Sequence, residues 1–572
     1  MASNKYTYNM VVTMFRDHLQ ERSDYESEWK HVSNNLLPGR GIFQHYSKPR
    51  KRDITSNNII NTVAEDALGV LTAGLHGRLT SPSAPWFRTR WSDDKINYVE
   101  PLKIYLADST RILQDALLAS NFYSVINSFY TEYAGFGNGC IFIDENTDND
   151  LIPLKFNLLT VGEYSFSLGK DGLPSVFIRT IFMSERQLVD HFPDTVSTEV
   201  KERVRTRKAG IDKVNLSIIE CIVKEDYQDK KYYRVMYEHN SATTKQHQRD
   251  TADKKPLQED GFYEWPYPVA RWNVIGSDTY GVGVGARAVK DIQRLQEMEK
   301  ALLVATHKAI DPPLNAPSRM RGKLSTLPGG RNYYVNPNEK VESIYNVPLD
   351  YNGVVTVIDR IEKRLQRTFF NDVFITGSRD PNASPLKATQ VIAQEREAAF
   401  RLGPMVNRTE TDLLVPAMRR CFNILKRKGM LPAIDPALEE IAGEFMFDLV
   451  SPMAIAQKAA QGQGVDSFMG FTANAAQFDP TVLDNVDGDK AVRDRAEIEG
   501  VGIGTLRSEE AVKALREQRA KQQAAQAQAE QNAAQQQGVQ AQQTADVGNR
   551  KTAAEAGQIL GETQQVMQET GL

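Results

Sequence analysis

Two stretches with a helical period flank a segment in which no helix can run, and this arrangement limits the folds open to the chain. Across residues 286–310, Ile292, Leu295, Leu302 and Ile310 fall on one side, and Lys290, Arg294, Glu297 and Lys308 on the other. The pattern predicts a single helix of roughly 36 Å, stopped at Asp311-Pro312-Pro313. Across 353–371, Val354, Ile358, Ile361, Leu365 and Phe369 form a second apolar stripe, with Arg360, Lys363, Arg364 and Arg367 opposite. Between the two lies a Gly/Pro-rich segment with strand-like runs at Arg331–Val335 and Val341–Tyr345. Rods of similar length joined by a compact excursion are suited to packing antiparallel.

The flanking regions have their own signatures. Residues 1 to about 135 read as helical. Met10, Met14, Phe15 and Leu19 recur at helical spacing, and a second helix is expected from Asn58 through Leu79 on Ile60, Val63, Leu68, Leu71 and Leu75, ending at Thr80-Ser81-Pro82-Ser83. Further helices are expected at Pro101–Ala119 and Tyr123–Tyr133. From Gly139 to about Trp272, β-branched and aromatic runs separated by turn clusters predict a mostly antiparallel β region, interrupted by a short helix at Ser184–Phe192. After the second amphipathic stretch comes a polar loop, Thr376–Ala383. Ser384 as N-cap and Pro385 at the first helical position then open a long helix with a kink expected at Gly403-Pro404. From Gln518 to Ala545 about three quarters of the residues are Gln or Ala. Such a tract favours helix but has little to bury alone, so it is either disordered or a helix held by neighbouring copies. The fold class that follows is α+β, predominantly helical.

Composition excludes several classes of function. The 572 residues carry a net charge of -4, so the chain lacks the basic excess of a protein that wraps DNA by counterion release. Its 41% hydrophobic content is enough for a real core, and the length suggests three or four structural units. Cys140, Cys221 and Cys421 are sparse and odd in number, which argues against a disulfide framework. No apolar run is long enough for a membrane span, and the N-terminus has no secretory pattern.

The tempting motifs fail on their chemistry. Gly281-Val282-Gly283-Val284-Gly285-Ala286 has dinucleotide-loop spacing, but no acidic residue follows at the end of a second strand, and it reads as a flexible glycine joint ahead of a helix. Asp144, Asn146 and Asp148 imitate an EF-hand, yet Asn149 replaces the required glycine and Lys155 the bidentate glutamate, leaving a polar turn between strands. The histidines show no zinc spacing, and no P-loop or nucleophile-elbow motif occurs. No metal or cofactor is expected, and the chain is not expected to be an enzyme. The run Lys48, Arg50, Lys51, Arg52 reads as a solvated or subunit-bridging surface. The stripe Arg360, Arg364, Arg367 either lines a nucleic-acid path or pairs with acids on an adjacent subunit.

The order of elements resembles the portal, or head-to-tail connector, family of short-tailed, T7-like bacteriophages. Particular stretches carry the likeness: Asn61-Thr62-Val63-Ala64-Glu65-Asp66-Ala67-Leu68 leading to Leu79-Thr80-Ser81-Pro82 and Pro85-Trp86-Phe87; Gly137-Asn138-Gly139-Cys140-Ile141; and Arg271-Trp272 through Tyr280-Gly281 into the helix ending at Asp311-Pro312-Pro313. The resemblance implies a ring, typically of twelve subunits, at one capsid vertex, through which double-stranded DNA is packaged and ejected. It divides the chain into a wing (1–285), a stem helix (286–310), a clip (311–349), a second stem helix (350–371), a channel loop (372–384), a kinked helix completing the wing (385–460), and a crown with a helical barrel (461–572). The implied partners are copies of itself, the packaging terminase, a tail adaptor, the major capsid and scaffolding proteins, and DNA in transit, with no membrane. The implied setting is the virion, and the host cytoplasm during assembly. DNA-channel candidates are Arg379, Lys387, Arg360, Lys363, Arg364 and Arg367; clip-docking candidates are Arg319, Arg321, Lys323 and Arg331. The rival readings are another virion structural protein, such as a tail adaptor or scaffold, and a metal-dependent nuclease.

Overall fold

The computed structural model describes residues 5–43, 59–206, 215–239, 254–344, 351–374, 401–434, 445–450, 467–498 and 506–570, apart from a few isolated positions within these ranges. It is mostly helical with antiparallel sheets, and it divides into two units. One comprises residues 1–92 with 105–502; the other comprises 93–104 with 503–572.

In the first unit, α1 (Tyr8–Asn35) and α2 (Val63–Leu79) precede a short strand, β1 (Phe87–Trp91). Then come α3 (Glu100–Ala119), whose first residues belong to the other unit, and α4 (Phe122–Phe136). The stripe of α1 that is buried is Tyr8, Val11, Val12 and Phe15; Met10, expected on that face, is exposed. Helix α2 starts five residues later than its apolar pattern suggested, and Ile60 is exposed, because Asn61 turns the chain: its side-chain oxygen accepts from Val63 N at 2.9 Å. The N-terminal region is also not wholly helical. β1 pairs with Phe445–Leu449, over three hundred positions away, and Arg88 and Arg90 both reach Asp448 across that pairing.

The expected β region forms two antiparallel sheets. β2 (Asn138–Glu145), β3 (Leu154–Leu159) and β9 (Val269–Arg271) make a three-stranded sheet ordered β3-β2-β9. A polar turn joins β2 to β3, as the broken cation-loop pattern suggested. The other sheet is a meander of β4 (Tyr164–Leu168), β5 (Pro174–Ser184), β6 (Asn215–Val223), β7 (Tyr232–His239) and β8 (Gln258–Phe262). Strand alternation sends Ile219, Cys221, Val235 and Tyr237 to one face, under the start of α1. It sends Ile218 and Met236 to the other, under α5 (Glu185–His191) and α6 (Thr198–Thr206). Helix α5 opens with a full capping box between Ser184 and Gln187. The three cysteines are free and buried.

A polar spine crosses these layers. Glu220 is fully buried in β6, paired with Arg179 and Arg234, and accepts from the Tyr267 hydroxyl at 2.7 Å. Burial alone would raise its carboxyl; the two guanidinium groups more than offset this and hold it below the usual carboxylate range. Arg179 also lies over the rings of Phe142 and Tyr267, at 5.0 and 5.1 Å, so the charge is enclosed by π-faces.

Helix α7 (Val284–Ile310) starts from the glycine run, which is not a flexible joint. Gly281, Gly283 and Gly285 are buried against the turn between α4 and β2. A Cβ on Gly283 would lie 2.5 Å from Gly137 N and 2.7 Å from two carbonyl oxygens, so the backbones meet with no room for a side chain. The excursion follows. Its strands are β10 (Leu314–Asn315) and β11 (Glu342–Ser343), paired antiparallel, whereas Arg331–Tyr334 is not a strand. Helix α8 (Tyr351–Thr368) buries Ile358, Ile361 and Leu365, with Phe369 just beyond its end, as its stripe predicted. It ends earlier than expected, at a turn where Phe370 takes φ 57° before α9 (Asn371–Phe374). The predicted channel loop and the start of the next helix, residues 375–400, lie outside the described residues, as does the run Lys48–Arg52. The kink expected at Gly403-Pro404 is displaced: residues 401–409 hold α geometry, and a π-helical turn falls at Glu410–Leu414. That wide turn precedes Pro416, which has no N–H for the Asp412 carbonyl and would crowd it in a regular helix.

In the second unit, Glu509–Thr570 is one 62-residue helix, so the Gln/Ala tract is helical rather than disordered. Its apolar residues, Val539, Val547, Ile559 and Leu560, are exposed. Lys103 donates to Leu506 O at 2.8 Å near its start.

Two predictions concern this core. Gly283→Ala should lower stability in urea unfolding by about 2–3 kcal/mol, because backbone rather than a movable side chain occupies the space. Gly69→Ala, in the exposed face of α2 with nothing within 4 Å, should raise it by about 0.5–1 kcal/mol. The second prediction concerns His239, whose Nδ1 lies 3.2 Å from the Tyr8 hydroxyl and whose imidazole is pushed down to about 4 by burial, then by Lys254 and Arg16. The unfolded chain takes up a proton below pH 6.5 and the folded chain only near pH 4. This contribution is therefore present above pH 6.5 and lost between 6.5 and 4. The melting temperature should fall less steeply over that window in His239→Gln than in the parent.

Candidate functional site

Helices α7 and α8 pack along each other, and the way they leave the core defines the site. The first half of α7 is buried on Val284, Ala288, Ile292 and Leu295. Beyond Gln296 none of its residues is fully buried, and Leu303, Val304 and Ile310 are exposed. The excursion has still less cover: Leu327 is 76% and Tyr333 79% exposed, with Tyr334 and Ile344 also bare. It is held by local bonds, among them Asn332, which exchanges two 2.8 Å hydrogen bonds with the backbone of Ser325. A shallow recess lined by Glu297, Lys300, Ala301, Val304, Ala305 and Lys308 runs along the bare half of α7.

One polar node fixes the pair to the rest of the unit. Gln296 Oε1 accepts from Ile60 N and Asn61 N at 2.7 and 2.9 Å, and its Nε2 donates to Asn61 O at 2.7 Å. The Asn61 amide donates to Glu299 Oε1 of α7 at 3.1 Å and to Glu362 Oε1 of α8 at 2.7 Å. A single side chain thus joins the entry of α2 to both helices. Neither Asn61 nor Gln296 stands out by pattern. An asparagine two residues before an apolar helical run is a cap signal, but its long-range partners lie more than two hundred positions away.

The predicted site residues divide into three groups. Arg360, Lys363 and Arg367 are exposed on α8 with no ion-pair partner among the described residues, whereas Arg364 pairs with Asp291 of α7. Arg321, Lys323 and Arg331 are exposed on the excursion, and Arg319 lies in its short 3-10 turn. Arg379 and Lys387 fall outside the described residues. Sequence reading passed over Arg287, which lies one and two helical turns from Lys290 and Arg294 on the same side of α7 and is exposed with them. Among the described residues no group of three or more His, Cys, Asp or Glu is placed to hold a metal ion, and no helix is long and apolar enough to cross a membrane.

The described residues thus present a helix pair bound to a mixed helix-and-sheet body, with a bare excursion between the two helices. The chain matches the family described as bacteriophage head to tail connecting protein over residues 11–504, and it belongs to that family. It is 28% identical over 515 residues to the probable portal protein of Bordetella phage BPP-1, covering 87% of this chain and 89% of that one. It is 29% identical over 557 residues to the portal protein of Salmonella phage epsilon15, covering 95% and 93%. A solved structure titled as the neck of an empty GTA particle computed with C6 symmetry aligns with 75% of this chain and 92% of its own at 10% identity and a TM-score of 0.34, too distant to carry an argument.

The node yields a direct test. Asn61→Ala should lower stability in urea unfolding by about 1–2 kcal/mol, since the half-buried Glu299 and Glu362 carboxylates lose their shared donor. Thr62→Ala, one position on and exposed, should cost well under about 1 kcal/mol.

Proposed function

We propose that this chain is the subunit of a portal, a ring at one capsid vertex through which the phage genome enters and leaves. The observation that carries the reading is the bare half of the helix pair with its excursion: apolar surface on Leu303, Val304, Ile310, Leu327 and Tyr333 that this chain leaves uncovered. Patches of that kind mark interaction surfaces. Side-by-side copies related by rotation bury them on heterologous contacts that close into a ring. On this reading, residues 1–285 with 385–460 form the wing, helices α7 and α8 the stem, 311–349 the clip, 372–384 the channel loop, and 461–572 the crown and barrel. About twelve copies complete the ring. The long Gln/Ala helix gains from other copies the packing that its own composition denies it.

The role is passive and non-catalytic. DNA has to slide in both directions, so each phosphate contact is to be weak and short-lived, which suits a net charge of -4 with a few cations in the bore. Arg379 of the channel loop and Lys387 just after it are the leading DNA contacts, with the α8 cations as further candidates. Arg319, Arg321, Lys323 and Arg331 give the clip the basic character that an acidic patch on the terminase or the tail adaptor would meet. The wing and crown face the major capsid and scaffolding proteins, first in the host cytoplasm and then in the virion.

Native mass spectrometry of the purified chain tests this. The expected particle is close to a twelvefold multiple of 64.2 kDa, with a central hole in negative stain and only weak duplex binding at physiological salt. A monomer at all concentrations, a closed cluster without a hole, or tight salt-resistant DNA binding would count against it.

A further inference from the structure

The charged side chains of the helix pair are sorted by side. On α8, Arg360, Arg364 and Arg367 lie roughly 110° or more around the helix from the mean direction of Asp359 and Glu362. On α7, Arg287, Lys290 and Arg294 lie roughly 150° from Glu299. Two observed contacts align these sides across the pair. Asn61 holds Glu299 and Glu362 together on one side, and the Arg364–Asp291 ion pair closes the seam on the other. The acidic side continues into the first turn of α2, where Glu65 and Asp66 are exposed. Among the described residues, none of these five carboxylates has a cationic partner, and on the basic side only Arg364 has a carboxylate. Two groups run against the sorting: Glu297 lies close to the α7 cations, and Lys363, exposed on α8, falls roughly 70° from the acidic direction.

We propose that the helix pair is a charge-complementary, self-recognising interface, in which the basic side of one copy docks on the acidic side of a second copy of this chain. The inference rests on the ring reading above and names the contact that closes it. The complementarity is the reason for choosing a second copy over DNA. A polyanion satisfies the cations and leaves the carboxylates without a partner. A neighbour carried round by the same rotation satisfies both at once, which a heterologous contact requires. Exposed pairs of this kind are individually weak, so the charges set partner and register while the bare apolar half supplies affinity.

Assembly of the full chain, followed by mass photometry across a dilution series, tests the assignment. Arg360→Glu with Arg367→Glu reverses the charge at two positions of the basic side; Glu65→Lys with Asp359→Lys reverses it at two positions of the acidic side. Each pair of substitutions is expected to raise the concentration for half-assembly at least tenfold, with far-ultraviolet dichroism unchanged. All four together should bring it back to within about threefold of the parent, and a mixture of the two charge-reversed chains should co-assemble. Arg360→Lys with Arg367→Lys should assemble like the parent. If the Arg360→Glu, Arg367→Glu chain forms rings like the parent but loses salt-dependent duplex binding, the basic side belongs to DNA and the proposal is overturned. Failure of the four-site variant to recover overturns it as well. A parent chain that never forms rings would sink the portal reading together with this contact; normal rings from the parent and both reversals would sink the contact alone.

Discussion

Helix α7 is buried at one end and bare at the other, and the rest of the molecule is arranged around that change. Its first turns cannot move, because the glycine backbone there lies directly on the turn between α4 and β2. Its last turns carry leucine, valine and isoleucine into solvent. A rod fixed so firmly at one end transmits position to the other. The hydrophobic effect that folds the first half is left over in the second, available to other chains.

Polar groups then set direction where apolar packing does not. The Asn61–Gln296 node secures both helices to α2, and the Arg364–Asp291 pair fixes their mutual rotation. Further inside, Glu220 with Arg179 and Arg234 ties the three-stranded sheet to the meander through Tyr267 and Phe142. The Glu220 cluster is a buried charge with named partners, the condition under which such groups specify geometry rather than merely cost desolvation. The same sorting of charge gives the helix pair two unlike sides.

Much of this was legible in the amino-acid order because it is periodic. The stripes of α7 and α8 repeat at the helical interval, and the structure buries Ile292, Leu295, Ile358, Ile361 and Leu365 accordingly. The antiparallel β region was legible for the same reason. What escaped was whatever depends on distant partners. The glycine run read as a loose joint because the sequence shows freedom of the backbone but not the backbone facing it. The β1 strand was absorbed into a helical region because its partner lies at Phe445–Leu449. Arg331–Tyr334 has strand-like composition, yet its tyrosines point into solvent and the pairing falls at Leu314–Asn315 with Glu342–Ser343. Arg364 looked like its neighbours on the wheel; only the fold shows that it is spoken for by Asp291, 73 positions away.

A cryo-electron map of the purified particle, resolved well enough to trace helices, decides where the helix pair sits. Helices 284–310 and 351–368 of every copy are expected to be arrayed about one axis around an open bore, with the excursions gathered at one end. A map in which those helices from a single copy are enclosed in a globule, or in which the copies meet without a central passage, would contradict that arrangement.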